Sequence, residues 1–186
     1  MKRPTLRETA YIGVFAALMT VLGYVEIPLP FSPVPITGQT FGVMLAGALL
    51  GSRLGFLALA VFDLAGLAFP VFAGGSGGLA VLAGPTGGYI LSWPLAAWLI
   101  GRLTEQVPRP GFLRLFVANV LGGVIVIYAL GVTQLALVAH IGFLPAVAKG
   151  ALPFLPGDLI KCAVAAVAAQ RLAAHHLAPR QAGAQS

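Results

Sequence analysis

Asp158 and Lys161 stand three residues apart in the last long apolar stretch of the chain, residues 152–172, where other charge is nearly absent. An acid and a base at i and i+3 share one helical face. Together they offer an acceptor-only carboxylate and a three-proton donor, which suits them to grip a polar small molecule. Their placement is costly, because at mid-depth in a bilayer each charge costs roughly 2.5–3.5 kcal/mol on insertion scales. A helical i,i+3 ion pair returns only about 0.2–0.5 kcal/mol. The pair must therefore lie near the interface, line a wet cavity, or meet further polar partners such as a ligand. Asp158 follows Pro156 and Gly157 and also suits the first turn of a helix, where the dipole favours a carboxylate. Lys161 lies deeper, at the wrong end to complement the dipole, and only snorkelling or an anionic partner accounts for it.

Two further strings carry polar groups. Gly84-Pro85-Thr86-Gly87-Gly88-Tyr89 supplies hydroxyls from Thr86 and Tyr89, a flat ring, and glycines that bring main-chain amides close to whatever they face. The same string is also a good helix entry followed by a tight helix-packing pair, and the residues alone leave both readings open. It is no nucleotide loop, since the Lys-Ser/Thr ending is missing. Pro35-Ile36-Thr37-Gly38-Gln39-Thr40 supplies Thr37, Gln39 and Thr40, with helix capping by Thr37 and interface solvation as the competing explanation. Asp63, Asn119 and Gln134 are further polar groups in apolar runs, and each could bond to a neighbouring helix. No catalytic or metal site is expected: there is no His-Glu-x-x-His, no Asp-rich metal motif, and His140 stands by itself. The single cysteine, Cys162, offers no disulfide and reads as a small packing residue.

The elements that hold these residues are membrane spans. Hydrophobic residues make up 59% of the chain and charged ones 9%, far from the soluble average of about 25% charged. We read an all-α, polytopic membrane protein forming one domain over residues 1–186, with six spans at about 8–25, 37–50, 54–69, 86–103, 113–138 and 152–172 and a flexible tail at 173–186. The first span ends at Pro28, Pro30, Pro33 and Pro35, and Gly51-Ser52-Arg53 divides the second from the third. Lys2, Arg3, Arg7, Arg53, Arg102, Arg109, Arg114, Arg171 and Arg180 fall on one set of loops and Lys149 alone on the other, so the positive-inside rule places both termini in the cytoplasm. This asymmetry accounts for the net charge of +6. No basic run interleaved with aromatics points to nucleic acid. Ala10, Gly13, Ala17 and Thr20 form a small-residue face on the first span, suited to close helix approach within this chain or with a partner.

In order and spacing, Val34-Pro-Ile-Thr-Gly-Gln39, Pro70-Val-Phe-Ala-Gly-Gly75, Gly84-Pro-Thr-Gly-Gly-Tyr89 and Pro156-Gly-Asp-Leu-Ile-Lys161 resemble the BioY family, the biotin-specific substrate-binding subunits of energy-coupling-factor (ECF) transporters. The resemblance implies a six-helix protein of the bacterial cytoplasmic membrane that captures biotin at the outer face. It implies partners too: a transmembrane coupling subunit and ATP-binding cassette ATPases that use ATP, with no cofactor in this chain. It maps biotin binding onto Asp158 and Lys161, with Tyr89, Gly87, Gly88, Thr86 and Gln39 as companions, and contact with the coupling subunit onto Ala10, Gly13 and Ala17. Asp63 departs from the family pattern, and Gly38 stands where a larger apolar residue is expected, which would widen the pocket. The rival readings are a small multispanning acyl- or phospho-transferase using Asp158 or His140, and a stand-alone ion- or proton-coupled carrier using Asp63, Asp158 and Lys161.

Overall fold

Helix α1 (Leu6–Tyr24) opens on a capping box. The Thr5 hydroxyl accepts from the Glu8 N–H at 3.3 Å, and the Glu8 carboxylate accepts from the Thr5 N–H at 2.7 Å, satisfying two otherwise orphaned donors. The computed structural model describes residues 4–174. Lys2, Arg3, Arg180 and the tail expected to be flexible, from residue 175 onward, lie outside them. Ile12, Phe15, Met19 and Gly23 form the buried face of α1, while Ala10, Gly13 and Ala17 are exposed.

The proline-rich segment that ends α1 is a two-stranded antiparallel hairpin, β1 (Glu26–Leu29) and β2 (Ser32–Thr37). This is an addition to the helical architecture that the sequence reading did not anticipate. Its register sets Glu26 opposite Thr37 and Ile27 opposite Ile36, with an irregularity between Ile27 and Leu29. Proline cannot donate to a ladder, and a two-stranded ribbon tolerates it because half the N–H groups of each strand point outward.

Helix α2 (Gln39–Ala68) is broken at Gly51, whose φ of 81° and ψ of −178° belong to a region only glycine enters freely. The halves fold back on each other. A Cβ added at Gly55 would lie 3.2 Å from the Ala46 carbonyl and 3.3 Å from the Gly47 Cα, a closeness that residues eight and nine apart reach only across a reversal. After a 3₁₀ turn at Ala73–Gly75 and the short α3 (Leu79–Ala83) come α4 (Gly87–Thr104), α5 (Phe112–Val120), a π-helical segment (Leu121–Val126) and α6 (Ile127–Val138). Gly122 and Gly123 in the π segment pack closely: a Cβ would stand 2.5 Å from Ile100 and 2.6 Å from Met44 respectively. The extra residue in that turn resets the helical phase just ahead of Ile127 and Tyr128. The chain closes with α7 (Phe143–Gly150), a helix within the expected loop, and α8 (Leu155–Ala174).

Among the described residues, three stretches are long and apolar enough to cross a membrane by themselves, 6–24, 39–75 and 112–138. A fourth is added if α7 and α8, bent by 54°, count as one. With α2 folded in two and α4 packed between α2 and α6, the chain presents the six apolar rods read from the sequence and is a multi-pass membrane protein.

Loops assigned to one membrane face meet at one end of the bundle. Arg53 pairs with Glu8 at 3.9 Å, Arg114 Nε donates to the Leu103 carbonyl at 2.6 Å, and Glu105 accepts from the Ser52 N–H at 2.9 Å and from its hydroxyl. Partial burial pulls the Glu105 carboxyl upward, but the Ser52 bonds and neighbouring Arg102 prevail and hold it below its ordinary value. These ties brace the α2 reversal against α1 and α4.

Candidate binding site

At the opposite end the hairpin, the start of α2, the 3₁₀ turn, α4, α6 and α8 enclose a cavity of about 260 Å³, close to the lower end of the range for small-molecule sites, roughly 300–1,000 Å³. Helix α8 brings Asp158 to it in the first turn, after Pro156 at a position where a missing N–H costs nothing. The dipole argument for Asp158 therefore holds alongside its place on the wall.

Lys161, one turn deeper, donates to the Asp158 carboxylate at 2.9 Å, the Thr40 hydroxyl at 3.0 Å and the Thr37 carbonyl at 2.8 Å. All three ammonium protons are thereby used. Thr40 in turn donates to Asp158 Oδ1 at 3.1 Å, and Tyr128 donates to Asp158 Oδ2. Asp158 thus accepts three bonds out of about four lone-pair positions, and one remains for a ligand donor. The costly ion pair is balanced by neutral groups from α2, α6 and the hairpin end.

The other wall is apolar. Phe72 seats on Gly66, where a Cβ would fall 2.0 Å from the ring, and meets Phe62 edge-on at 5.7 Å. Ile90, Trp93, Ile127 and Phe154 continue the surface. Tyr89 lies with its ring against Gly131, donates to the Gly150 carbonyl at 2.9 Å and faces Tyr128 edge-on at 6.4 Å. It offers a fixed ring, its hydroxyl already being bonded.

Asp158, Lys161, Tyr89, Thr86 and Gln39 all line this one cavity. Thr86 makes no side-chain capping bond. Gln39 also bonds the Met19 carbonyl at 3.4 Å, tying α1 to α2. Gly87 and Gly88 are not on the wall. A Cβ at Gly87 would be 1.8 Å from the Leu82 carbonyl and one at Gly88 2.5 Å from the Leu130 carbonyl, so they serve close packing, which the sequence had left as an equal alternative. Gly38 faces Leu22, 3.0 Å from a Cβ placed there, and does not widen the pocket as expected, because α1 fills that side. Gln134 bonds the Leu82 and Gly84 carbonyls at 2.8 and 2.9 Å, and Asn119 bonds the Cys162 carbonyl at 3.1 Å. Both bond between segments, as the plainer reading had it. Asp63 is buried off the cavity wall, with Oδ1 unpartnered.

Tyr128, Trp93, Phe72 and Glu26 were missed by sequence reasoning. Tyr128 had a usable signal, being the only tyrosine within the apolar run 113–138.

The fold and site define a polytopic membrane protein with a small-molecule cavity at one end of its helix bundle. A profile described as the BioY family matches residues 1–177, and the chain belongs to that family. It is 43% identical over 169 residues to a Rhizobium etli protein named biotin transporter BioY, covering 87% of this chain and 90% of that one. It is 41% identical over 168 residues to one of the same name from Thermotoga maritima, covering 90% and 96%. A solved structure described as the S-component for biotin from an ECF-type ABC transporter superposes with a TM-score of 0.85 at 32% identity, over 90% of both chains.

Proposed function

We propose that this protein is the biotin-binding S subunit of an ECF-type transporter, a transport protein and not an enzyme. The observation that carries the reading is the Lys161–Asp158–Thr40–Tyr128 network on the wall of a ligand-sized cavity, in a chain of this family. Biotin's fused ring is apolar, its ureido group has two N–H donors and one carbonyl, and its tail ends in a carboxylate. The apolar wall suits the ring. The free lone pair of Asp158 suits one ureido N–H, and Lys161 reaches a ligand oxygen by yielding or sharing one of its three bonds.

Energy for uptake then comes from a transmembrane coupling subunit and ATPases that bind and hydrolyse ATP, in the cytoplasmic membrane with the Arg53–Glu8 end inward. Mass spectrometry of the ligand retained by the purified protein tests the reading. Biotin is expected, and a protein that neither retains nor binds added biotin overturns it. Uptake of labelled biotin with and without the partner subunits separates this reading from a stand-alone carrier.

Tyr128→Phe removes one of the three bonds held by Asp158 and leaves the ring in place. A hydrogen bond to a charged group contributes about 1.5–3 kcal/mol, and we expect biotin affinity to fall about tenfold in calorimetric titration; an unchanged dissociation constant removes Tyr128 from the site. The α1 face behaves differently. Nothing lies within 4 Å of a Cβ on Gly13, so Gly13→Leu is expected to leave biotin binding intact and to reduce co-purification with the coupling subunit. Undiminished co-purification of this variant would exclude Gly13 from that interface.

A further inference from the structure

The charges on the cavity wall do not cancel. Its charged side chains are Lys161, Asp158 and Glu26, and Lys161 is already paired with Asp158. Glu26 forms no ion pair among the described residues. The hairpin register sets it opposite Thr37, the residue whose carbonyl receives Lys161. Its carboxylate rests over the 3₁₀ turn, where a Cβ at Gly74 would fall 2.5 Å from Oε1. Gly74, with φ of 61°, leaves the space that the carboxylate occupies. A second anion is therefore held where two wall elements meet, in a cavity expected to receive an anionic ligand.

We propose that Glu26 is a charge-selecting residue of this cavity, disfavouring a free carboxylate tail and favouring biotin amides that carry a cation. The inference rests on the biotin reading and adds a ligand class to it. Glu26 is exposed, so the effect is that of a partly screened charge. For two unit charges a little beyond contact distance in water-like surroundings the change in affinity is about threefold, and more where water is excluded.

The test compares wild type, Glu26→Gln and Glu26→Lys for three probes: biotin, its neutral methylamide and its cationic aminoethyl amide. Glu26→Gln is expected to tighten biotin about threefold, to weaken the aminoethyl amide about threefold and to leave the methylamide unmoved. Glu26→Lys should extend both shifts, and both should shrink as ionic strength rises from about 0.01 M to about 1 M. Shifts of one sign for all three probes, or none, overturn charge selection while leaving biotin binding standing. A wild type that binds none of the probes overturns the biotin reading and the inference with it.

Discussion

Lys161→Ala is expected to weaken biotin binding at least about tenfold, because the ammonium ties Asp158, Thr40 and Thr37 together on the cavity wall and is the group proposed to meet a ligand oxygen. Without it Asp158, a buried carboxylate, keeps only the Thr40 and Tyr128 hydroxyls, and the Thr37 carbonyl loses its donor. Breaking a buried pair by removing one partner costs about 3–5 kcal/mol. The side chain of Lys161 is 23% exposed, which puts this site toward the lower figure. Stability and binding can be told apart with the double variant Asp158→Asn with Lys161→Met. Removing both charges without emptying the space should restore much of the thermal stability, since well-packed replacements of buried pairs are often neutral or better. It should not restore binding. Calorimetric titration beside thermal unfolding in detergent gives both readings, and an unchanged dissociation constant for Lys161→Ala would sink the assignment.

That pair was legible in the sequence because charge in an apolar helix is expensive and must have a reason. Its network was not. Thr40 stood out as a polar group and Tyr128 did not, and nothing in the sequence joins either to Asp158, 118 and 30 residues away. The α2 reversal was legible from Gly51-Ser52-Arg53, where a glycine and a charge interrupt an apolar run too long for one span. The hairpin was not, since four prolines argue against strands, and only its short, two-stranded form accommodates them. Glu26 had no signal in the sequence, and the register that sets it opposite Thr37 is a tertiary fact. The Gly87-Gly88 string was visible, but which of its two uses applied depended on what lay opposite.

Gly88→Ala decides that last point by experiment. A methyl group at Gly88 would stand 2.5 Å from the Leu130 carbonyl, 2.8 Å from the Gln134 Cβ and 3.1 Å from the Gly131 Cα. Two of these three are backbone atoms that cannot rotate away, so α4 and α6 must part. Overpacking of this kind costs about 1–3 kcal/mol. The helices that separate carry Tyr89 and Tyr128, whose rings meet at 6.4 Å, and Gln134, which holds the entry to α4 at Leu82 and Gly84. We therefore expect Gly88→Ala to lower the melting temperature by several degrees and to weaken biotin binding with it. Had the Gly88 amide been a ligand contact on an open wall, alanine would keep the amide and the melting temperature would hold. A variant with wild-type thermal stability would refute the packing role, and one destabilised but binding biotin normally would show that the α4–α6 contact does not position the two tyrosines for the ligand.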